Sequence, residues 1–186
     1  MISLIIPAYN EELIVSKTIK EALDTLKKMN LKNFEIILVD DGCIDNTNDK
    51  AKKYGIKIIR NPINMGYGFS LKRGITNARF ETVVIMDADD TYPVNEIPKL
   101  YNEYLKGFDM VIGQRTGKFY EESKLKSFLR KLLKFIVEFA AEKKIPDINS
   151  GLRVFKRDTI KKFFPQLSDT FSFTTSSTLA YIMNKK

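Results

Sequence analysis

Apolar residues along the first 114 positions follow two rhythms. Short apolar runs stand at 3–6, 34–39, 56–59, 82–86 and 110–113, and between them lie longer stretches whose apolar residues return every three or four positions. The runs predict strands buried on both faces, and the stretches predict amphipathic helices. Helices are expected over 13–29, with Leu13, Ile19, Leu23 and Leu26 facing inward, and over 46–54, 69–78 and 94–105. This alternation predicts an α/β fold with a mainly parallel central sheet flanked by helices.

In such sheets ligands gather at the carboxyl ends of the strands. Polar residues cluster there. The first run leads into Pro7-Ala8-Tyr9-Asn10-Glu11-Glu12, the second into Asp40-Asp41-Gly42-Cys43-Ile44-Asp45, and the fourth into Asp87-Ala88-Asp89-Asp90. Three strand ends therefore deliver acidic or polar groups to one rim.

Composition narrows what that rim can do. The 186 residues include no histidine and a single cysteine, Cys43. This excludes a Ser/His/Asp triad, a Cys/His dyad, an imidazole-ligated zinc and any intrachain disulfide, and it favours a reducing compartment. Catalysis is left to carboxylates, a bound cation, backbone dipoles and cationic side chains. No apolar run approaches the ~20 residues of a membrane-spanning helix. The net charge of +8 is concentrated: residues 115–162 hold 14 basic and 6 acidic side chains, and the rest of the chain holds 17 of each.

Each candidate carries two readings. Asp87-Ala88-Asp89 is either a solvated acidic turn or an oxygen-donor site for Mg²⁺ or Mn²⁺, with Asp87 and Asp89 as ligands; its position after a buried strand favours the second. Asp90 is a further ligand or a helix cap. Asp40 and Asp41 are turn residues, with Asp45 or Asn46 capping the next helix, or they accept hydrogen bonds from a nucleobase. Tyr9 is an interface tyrosine or a stacking face for that base, and Glu11 a contact to base or ribose. Gly66-Tyr67-Gly68 before a helix suits a phosphate or a tight turn. Ser150 and the Gly151 amide suit an anionic oxygen, while Arg153 neutralises phosphate or forms a salt bridge with Asp147.

Taken in order, these segments resemble glycosyltransferase family 2, of GT-A fold. The resemblance rests on Ile-Ile-Pro-Ala-Tyr-Asn-Glu-Glu, Val-Asp-Asp-Gly, Asn-x-Gly-x-Gly with Arg73-Gly74, and Asp87-Ala88-Asp89. Gly113-Gln114-Arg115, Asn149-Ser150-Gly151-Leu152-Arg153-Val154-Phe155 and Phe171-Ser172-Phe173-Thr174-Thr175 narrow it to the dolichyl- or polyprenyl-phosphate sugar transferases. It implies a catalytic domain over 1–186, with a Rossmann-like nucleotide-sugar half (1–114) and an acceptor- and membrane-facing half (115–186). Pro7, Tyr9, Glu11, Asp40, Asp41, Asp87, Ala88 and Asp89 match donor-binding positions, with Asp87 and Asp89 toward the metal. Arg115, Ser150 and Arg153 match groups near the diphosphate or the acceptor phosphate; Arg130 and Lys131 are counted with the acceptor contacts, and Asp89, Arg115 and Arg153 with the catalytic groups. Three departures stand out: Thr91 where many relatives carry Gln, Cys43 in place of Ser, and an end at Lys186 that the resemblance reads as a domain cut short.

The implied reaction suits a chain without histidine. A hydroxyl acceptor needs a general base, for which only Asp89 or Asp90 is at hand. A phosphomonoester, with a second pKa of about 6, is already largely dianionic and needs positioning and charge screening instead. The expectation is metal-dependent direct displacement with inversion, moving a hexose from a GDP- or UDP-sugar to a polyprenyl phosphate. Family alternatives are transfer to a saccharide hydroxyl and a non-catalytic nucleotide-sugar-binding module.

Over 123–144, Leu125, Phe128, Leu129, Leu132, Leu133, Ile136, Phe139 and Ala140 share one helical face, with Lys124, Lys126, Arg130, Lys131 and Lys134 on or beside the other. Such a helix either packs with a solvated charged face or lies in an anionic membrane interface. The second reading places the chain peripherally at the cytoplasmic face of a membrane. Nucleic acid is not an expected partner, because the rim is acidic and no RNA or DNA module is present. Donor base, sugar and oligomeric state are not specified at this level.

Overall fold

The computed structural model describes residues 1–115 and 147–184. Six strands form one sheet: β1 (Ile2–Ala8), β2 (Phe34–Asp40), β3 (Lys57–Arg60), β4 (Thr82–Ile85), β5 (Met110–Ile112) and β6 (Arg153–Lys156), in the order β3-β2-β1-β4-β6-β5. The described helices are α1 (Val15–Lys28), α2 (Thr47–Lys52), α3 (Tyr67–Thr76), α4 (Ile97–Tyr104), α5 (Arg157–Phe163) and α6 (Phe173–Met183).

β1 is buried along its whole length, as a central strand that is apolar but for Ser3 should be. Its side chains alternate between two cores. Ile2, Leu4, Ile6 and Ala8 pack with Val15, Ile19, Ala22 and Leu26 of α1, Ala51 of α2, and Ile97 and Leu100 of α4. Ile5 on the other face packs with Leu71 and Ile75 of α3, Ile160 and Phe163 of α5, and Phe173, Ala180 and Tyr181 of α6. The sheet is thus covered on both sides.

β1 pairs in parallel with β2 and β4, and β2 with β3. β6 is the exception. It runs antiparallel between β4 and β5, with Ile85 opposite Arg153 and Ile112 opposite the same residue on the other side. Because β2, β1 and β4 are parallel neighbours, their carboxyl ends share one edge, and the reversed β6 brings its amino end there too.

Several boundaries differ from expectation. Leu13 is 92% exposed, not inward. The chain turns at Glu11, whose carbonyl accepts the Ile14 and Val15 amides at 3.1 and 2.9 Å, so α1 and its buried face begin at Val15. The helix expected over 94–105 divides into a 3-10 turn, Val94–Glu96, and α4, with Pro98 in the first turn of α4 supplying no amide to a continuous ladder. No helix among the described residues is long and apolar enough to cross a membrane.

Candidate active site

A cavity of about 890 Å³ opens at the shared strand edge, and its walls include Pro7, Ala8, Tyr9, Glu11, Asp41, Asp87, Ala88, Asp89 and Arg115. Most sequence-predicted site residues therefore converge. Asp40, Ser150 and Arg153 do not reach it.

At the end of β1, Tyr9 is 44% exposed on the cavity wall. The next loop is tied to the loop after β2. The Glu11 amide donates to Thr47 Oγ1 at 2.7 Å, and the Glu12 amide to Asp45 Oδ2 at 3.1 Å. Asp45 also caps α2, accepting the Thr47 amide at 3.0 Å. Burial raises the Glu11 carboxyl above its ordinary value, and the charges of Asp89, Asp45 and Asp87 raise it further. Cys43 joins the two loops: its thiol donates to the Ala8 carbonyl at 3.4 Å and its sulfur accepts the Asn10 amide at 3.3 Å. Burial pushes that thiol up to about 11, so it stays protonated.

The two aspartates after β2 have separate tasks. Asp40 is fully buried; it accepts the Cys43 amide at 2.7 Å and Asn48 Nδ2 at 2.6 Å, and pairs with Arg60 Nε at 3.4 Å. It braces the β2 turn rather than facing a ligand, which corrects its assignment to the nucleoside. Asp41 does line the cavity, while accepting Asn61 Nδ2 at 2.6 Å and the Met65 and Gly66 amides at 2.9 and 3.0 Å.

The Gly66-Tyr67-Gly68 segment packs against residues 168–170, with Gly66 and Tyr67 also on the cavity wall. Gly66 has φ +101°, and a Cβ on Gly68 would lie 2.3 Å from the Ser168 carbonyl oxygen. The Phe69 amide at the start of α3 donates to the Asp169 carbonyl at 3.0 Å.

After β4, Asp87 Oδ1 accepts the Tyr67 hydroxyl at 2.6 Å, and a Cβ on Gly151 would stand 2.4 Å from Asp87 Oδ2. Burial pushes the Asp87 carboxyl up to about 6; the Tyr67 hydrogen bond and the Arg115 and Arg153 charges oppose that rise, and Asp89 adds to it. Burial, then the Asp87 charge, raise the Tyr67 phenol well above its ordinary value, so it remains a donor at neutral pH. Ala88 is held through its carbonyl, which accepts Thr18 Oγ1 at 2.9 Å. Asp89 is exposed within the cavity, with Oδ1 accepting the Thr91 amide at 3.0 Å. Asp90 neither caps a helix nor lines the cavity; it pairs with Lys17.

The arginines exchange their expected partners. Arg115 forms the bidentate pair with Asp147, Nε to Oδ2 at 2.7 Å and Nη2 to Oδ1 at 2.8 Å, and lies 5.8 Å from the Tyr92 ring centroid. Against the opposing effect of burial, those bonds hold Asp147 below the usual carboxylate range. Arg153 is fully buried and donates to neutral acceptors: the Ile148 and Ser150 carbonyls at 2.7 and 2.8 Å, Thr178 Oγ1 at 2.8 Å and Ser177 Oγ at 3.2 Å. Desolvation lowers its guanidinium to about 10, which leaves it charged at neutral pH. Arg153 is thus a buried brace rather than a phosphate contact, and Ser150, also buried, serves it through its carbonyl. Asn149 and Gly151, on either side, are the members of this loop that line the cavity. Arg130, Lys131 and the 123–144 helix lie outside the described residues.

Tyr67, Tyr92, Phe171, Thr174 and Thr175 also line the cavity. Tyr67, Phe171, Thr174 and Thr175 stand in segments that carry the resemblance, and Tyr92 in none of them; no local chemistry distinguished any of the five from packing residues.

Whether a divalent cation fits is decided by the donors. Asp87 and Asp89 are hard oxygen donors in one cavity, where burial, and after it the Asp89 charge, raise the proton affinity of Glu11 and Asp87. Among the described residues no three acidic or thiol groups cluster as a complete protein cage. The two carboxylates suit Mg²⁺ or Mn²⁺, which take one or two carboxylates and complete their shells with water and phosphate oxygens.

Comparison with known proteins bears on the family and the fold. The chain is 30% identical over 181 residues to a dolichyl-phosphate beta-glucosyltransferase of Trichomonas vaginalis, aligning 88% of itself with 55% of that protein. It is 32% identical over 172 residues to a dolichol-phosphate mannosyltransferase of Pyrococcus furiosus, aligning 86% of itself with 47% of that protein. The chain thus spans about half the length of both. Glucosyl-3-phosphoglycerate synthase from Mycobacterium tuberculosis, solved with Mn²⁺, uridine-diphosphate and phosphoglyceric acid, shares the fold, with a TM-score of 0.75 over 99% of this chain and 64% of that one at 18% identity. The profile of glycosyl transferase family 2 matches residues 3–164. Running through all six strands of a GT-A sheet, that match makes this chain a member of glycosyl transferase family 2.

Proposed function

We propose that the chain transfers a hexose from a GDP- or UDP-sugar to a polyprenyl phosphate, with Mg²⁺ or Mn²⁺ and with inversion at the anomeric carbon. The observation that carries this reading is the meeting of Asp87 and Asp89 with the Arg115–Asp147 pair in one cavity beside Tyr9. A nucleoside diphosphate calls for a cation site and an aromatic or polar nucleoside wall; a second phosphate calls for a fixed guanidinium. Relatives named for dolichyl-phosphate glucosyl and mannosyl transfer support a lipid phosphate as the acceptor class.

Pro7, Ala8, Tyr9, Glu11 and Asp41 form the nucleoside end in this scheme. Asp89, with Asp87 beside it, would hold the cation, which when bound supplies Lewis-acid stabilisation of the departing diphosphate. Arg115, aimed by Asp147, keeps the acceptor phosphate close to a leaving group of like charge. The dianionic acceptor attacks without a base, consistent with the absence of histidine. The lipid acceptor and the basic amphipathic pattern of 123–144 support work at the cytoplasmic face of a membrane.

The test supplies labelled GDP- and UDP-sugars with Mn²⁺ and extracted polyprenyl phosphate. Label is expected in the lipid fraction with inverted anomeric configuration, and Asp89→Ala is expected to reduce it by roughly 100-fold or more. Retention would remove the direct displacement. Label on a water-soluble saccharide alone would favour the hydroxyl-acceptor enzyme. Metal-dependent nucleotide binding without transfer from any donor would favour a binding module.

A further inference from the structure

Phe171 is 82% exposed yet lines the cavity, and its ring stacks on Tyr67 with centroids 5.5 Å apart and planes 16° from parallel. The segment just before it, residues 167–169, is fastened to α3. Lys72 Nζ donates to the Leu167 carbonyl at 2.6 Å and to Asp169 Oδ1 at 2.7 Å, and the Asp169 carbonyl accepts the Phe69 amide. Gly68 lets the two backbones meet, since any side chain there would overlap Ser168. The Tyr67 ring is therefore fixed in direction, and its hydroxyl ends on Asp87 Oδ1.

We infer that Tyr67 is a positioning residue that holds the Asp87 carboxylate in one orientation, and that Phe171 acts through it by keeping the Tyr67 ring where its hydroxyl reaches Asp87. The inference rests on the reading of Asp87 as part of a cation–diphosphate site. Its physical basis is that Gly151 crowds Oδ2 while Tyr67 occupies Oδ1, so the carboxyl plane is set from both ends. Groups that orient a ligand in this way matter to cation affinity nearly as much as the ligand itself. The order of action is Phe171, then Tyr67, then Asp87, which joins the segment before α6 to the β4 end.

The experiment titrates Mn²⁺ calorimetrically into the full chain with saturating UDP, and separately with GDP. Wild type, Tyr67→Phe, Phe171→Ala and the double variant are compared, with Asp87→Asn as control. Tyr67→Phe keeps the ring and removes the hydroxyl; it is expected to weaken Mn²⁺ about tenfold or more, with little change in the melting temperature without metal. Phe171→Ala is expected to weaken Mn²⁺ in the wild-type background and to add nothing in the Tyr67→Phe background, where no hydroxyl remains to be aimed. Phe171→Leu repeats the cycle if the alanine variant does not fold. Wild-type affinity in Tyr67→Phe overturns the inference, as does an equal loss from Phe171→Ala in both backgrounds, which means direct contact with the nucleotide. A wild-type chain that takes up no Mn²⁺ with either nucleotide, or an Asp87→Asn variant that binds normally, overturns the underlying reading instead.

Discussion

Asp87 keeps a charge where its surroundings oppose one. Its pKa, pushed up to about 6 from 3.8, means that between these values the folded protein holds a proton that the unfolded chain has released. Stability therefore falls as pH rises through that window, and above it the folded state bears the whole cost, on the order of 2–3 kcal/mol. Asp87→Asn, which still accepts from Tyr67, is expected to raise the apo protein's stability by about 1–2 kcal/mol at pH 7.5, a gain that disappears near pH 4. Urea unfolding at both pH values measures this; an unchanged midpoint at pH 7.5 would mean that the carboxylate is better solvated than its packing implies. Under the proposed function the same variant is expected to lose transfer, which would set stability against function at this position. The residue type at 87 was legible in the sequence, because two carboxylates just past an apolar run are conspicuous. The burial that raises its pKa was not, since it depends on packing against segments distant in the chain, among them Tyr67 and Gly151.

At the scale of elements, the elements that follow the regular rhythm are the ones the pattern foretold. β1, β2 and β4 are nearly continuous apolar runs, and the polar residues after them reach the rim. β6 was missed because Arg153-Val154-Phe155-Lys156 shows only two apolar residues, and its arginine reads as surface. That arginine instead ties the 148–150 loop to α6 through two carbonyls and two hydroxyls. Lysine carries its donors on one nitrogen and cannot span four acceptors on different elements. Arg153→Lys is expected to cost about 2–4 kcal/mol, read as a lower urea midpoint. A loss within ~0.5 kcal/mol would show that the brace is dispensable. The exchange of Asp147 from Arg153 to Arg115 was likewise beyond local pattern: both arginines are plausible partners by charge, and only the β5–β6 pairing decides between them.

For the whole molecule, the uneven charge is the feature with the widest reach. All of the net +8 lies within 115–162, away in sequence from the acidic strand ends. Binding to vesicles rich in anionic lipid is expected to exceed binding to neutral vesicles, and to weaken roughly tenfold from 0.1 to 0.5 M salt. Co-sedimentation measures both. Equal binding to neutral vesicles, insensitive to salt, would assign the attachment to apolar contact alone.

The reversal of β6 also bears on how members of such a family can diverge. Chain leaves the sheet after Ile112 and returns at Arg153, and the two ends of this excursion are clasped where the Gly113 amide donates to the Leu152 carbonyl at 2.9 Å. Strand register on both sides is set by residues outside the excursion. Exchange of the segment between Gly113 and Leu152 is therefore expected to leave β4, β6 and β5 in register and the strand-end hydrogen bonds in place, read as an unchanged urea midpoint.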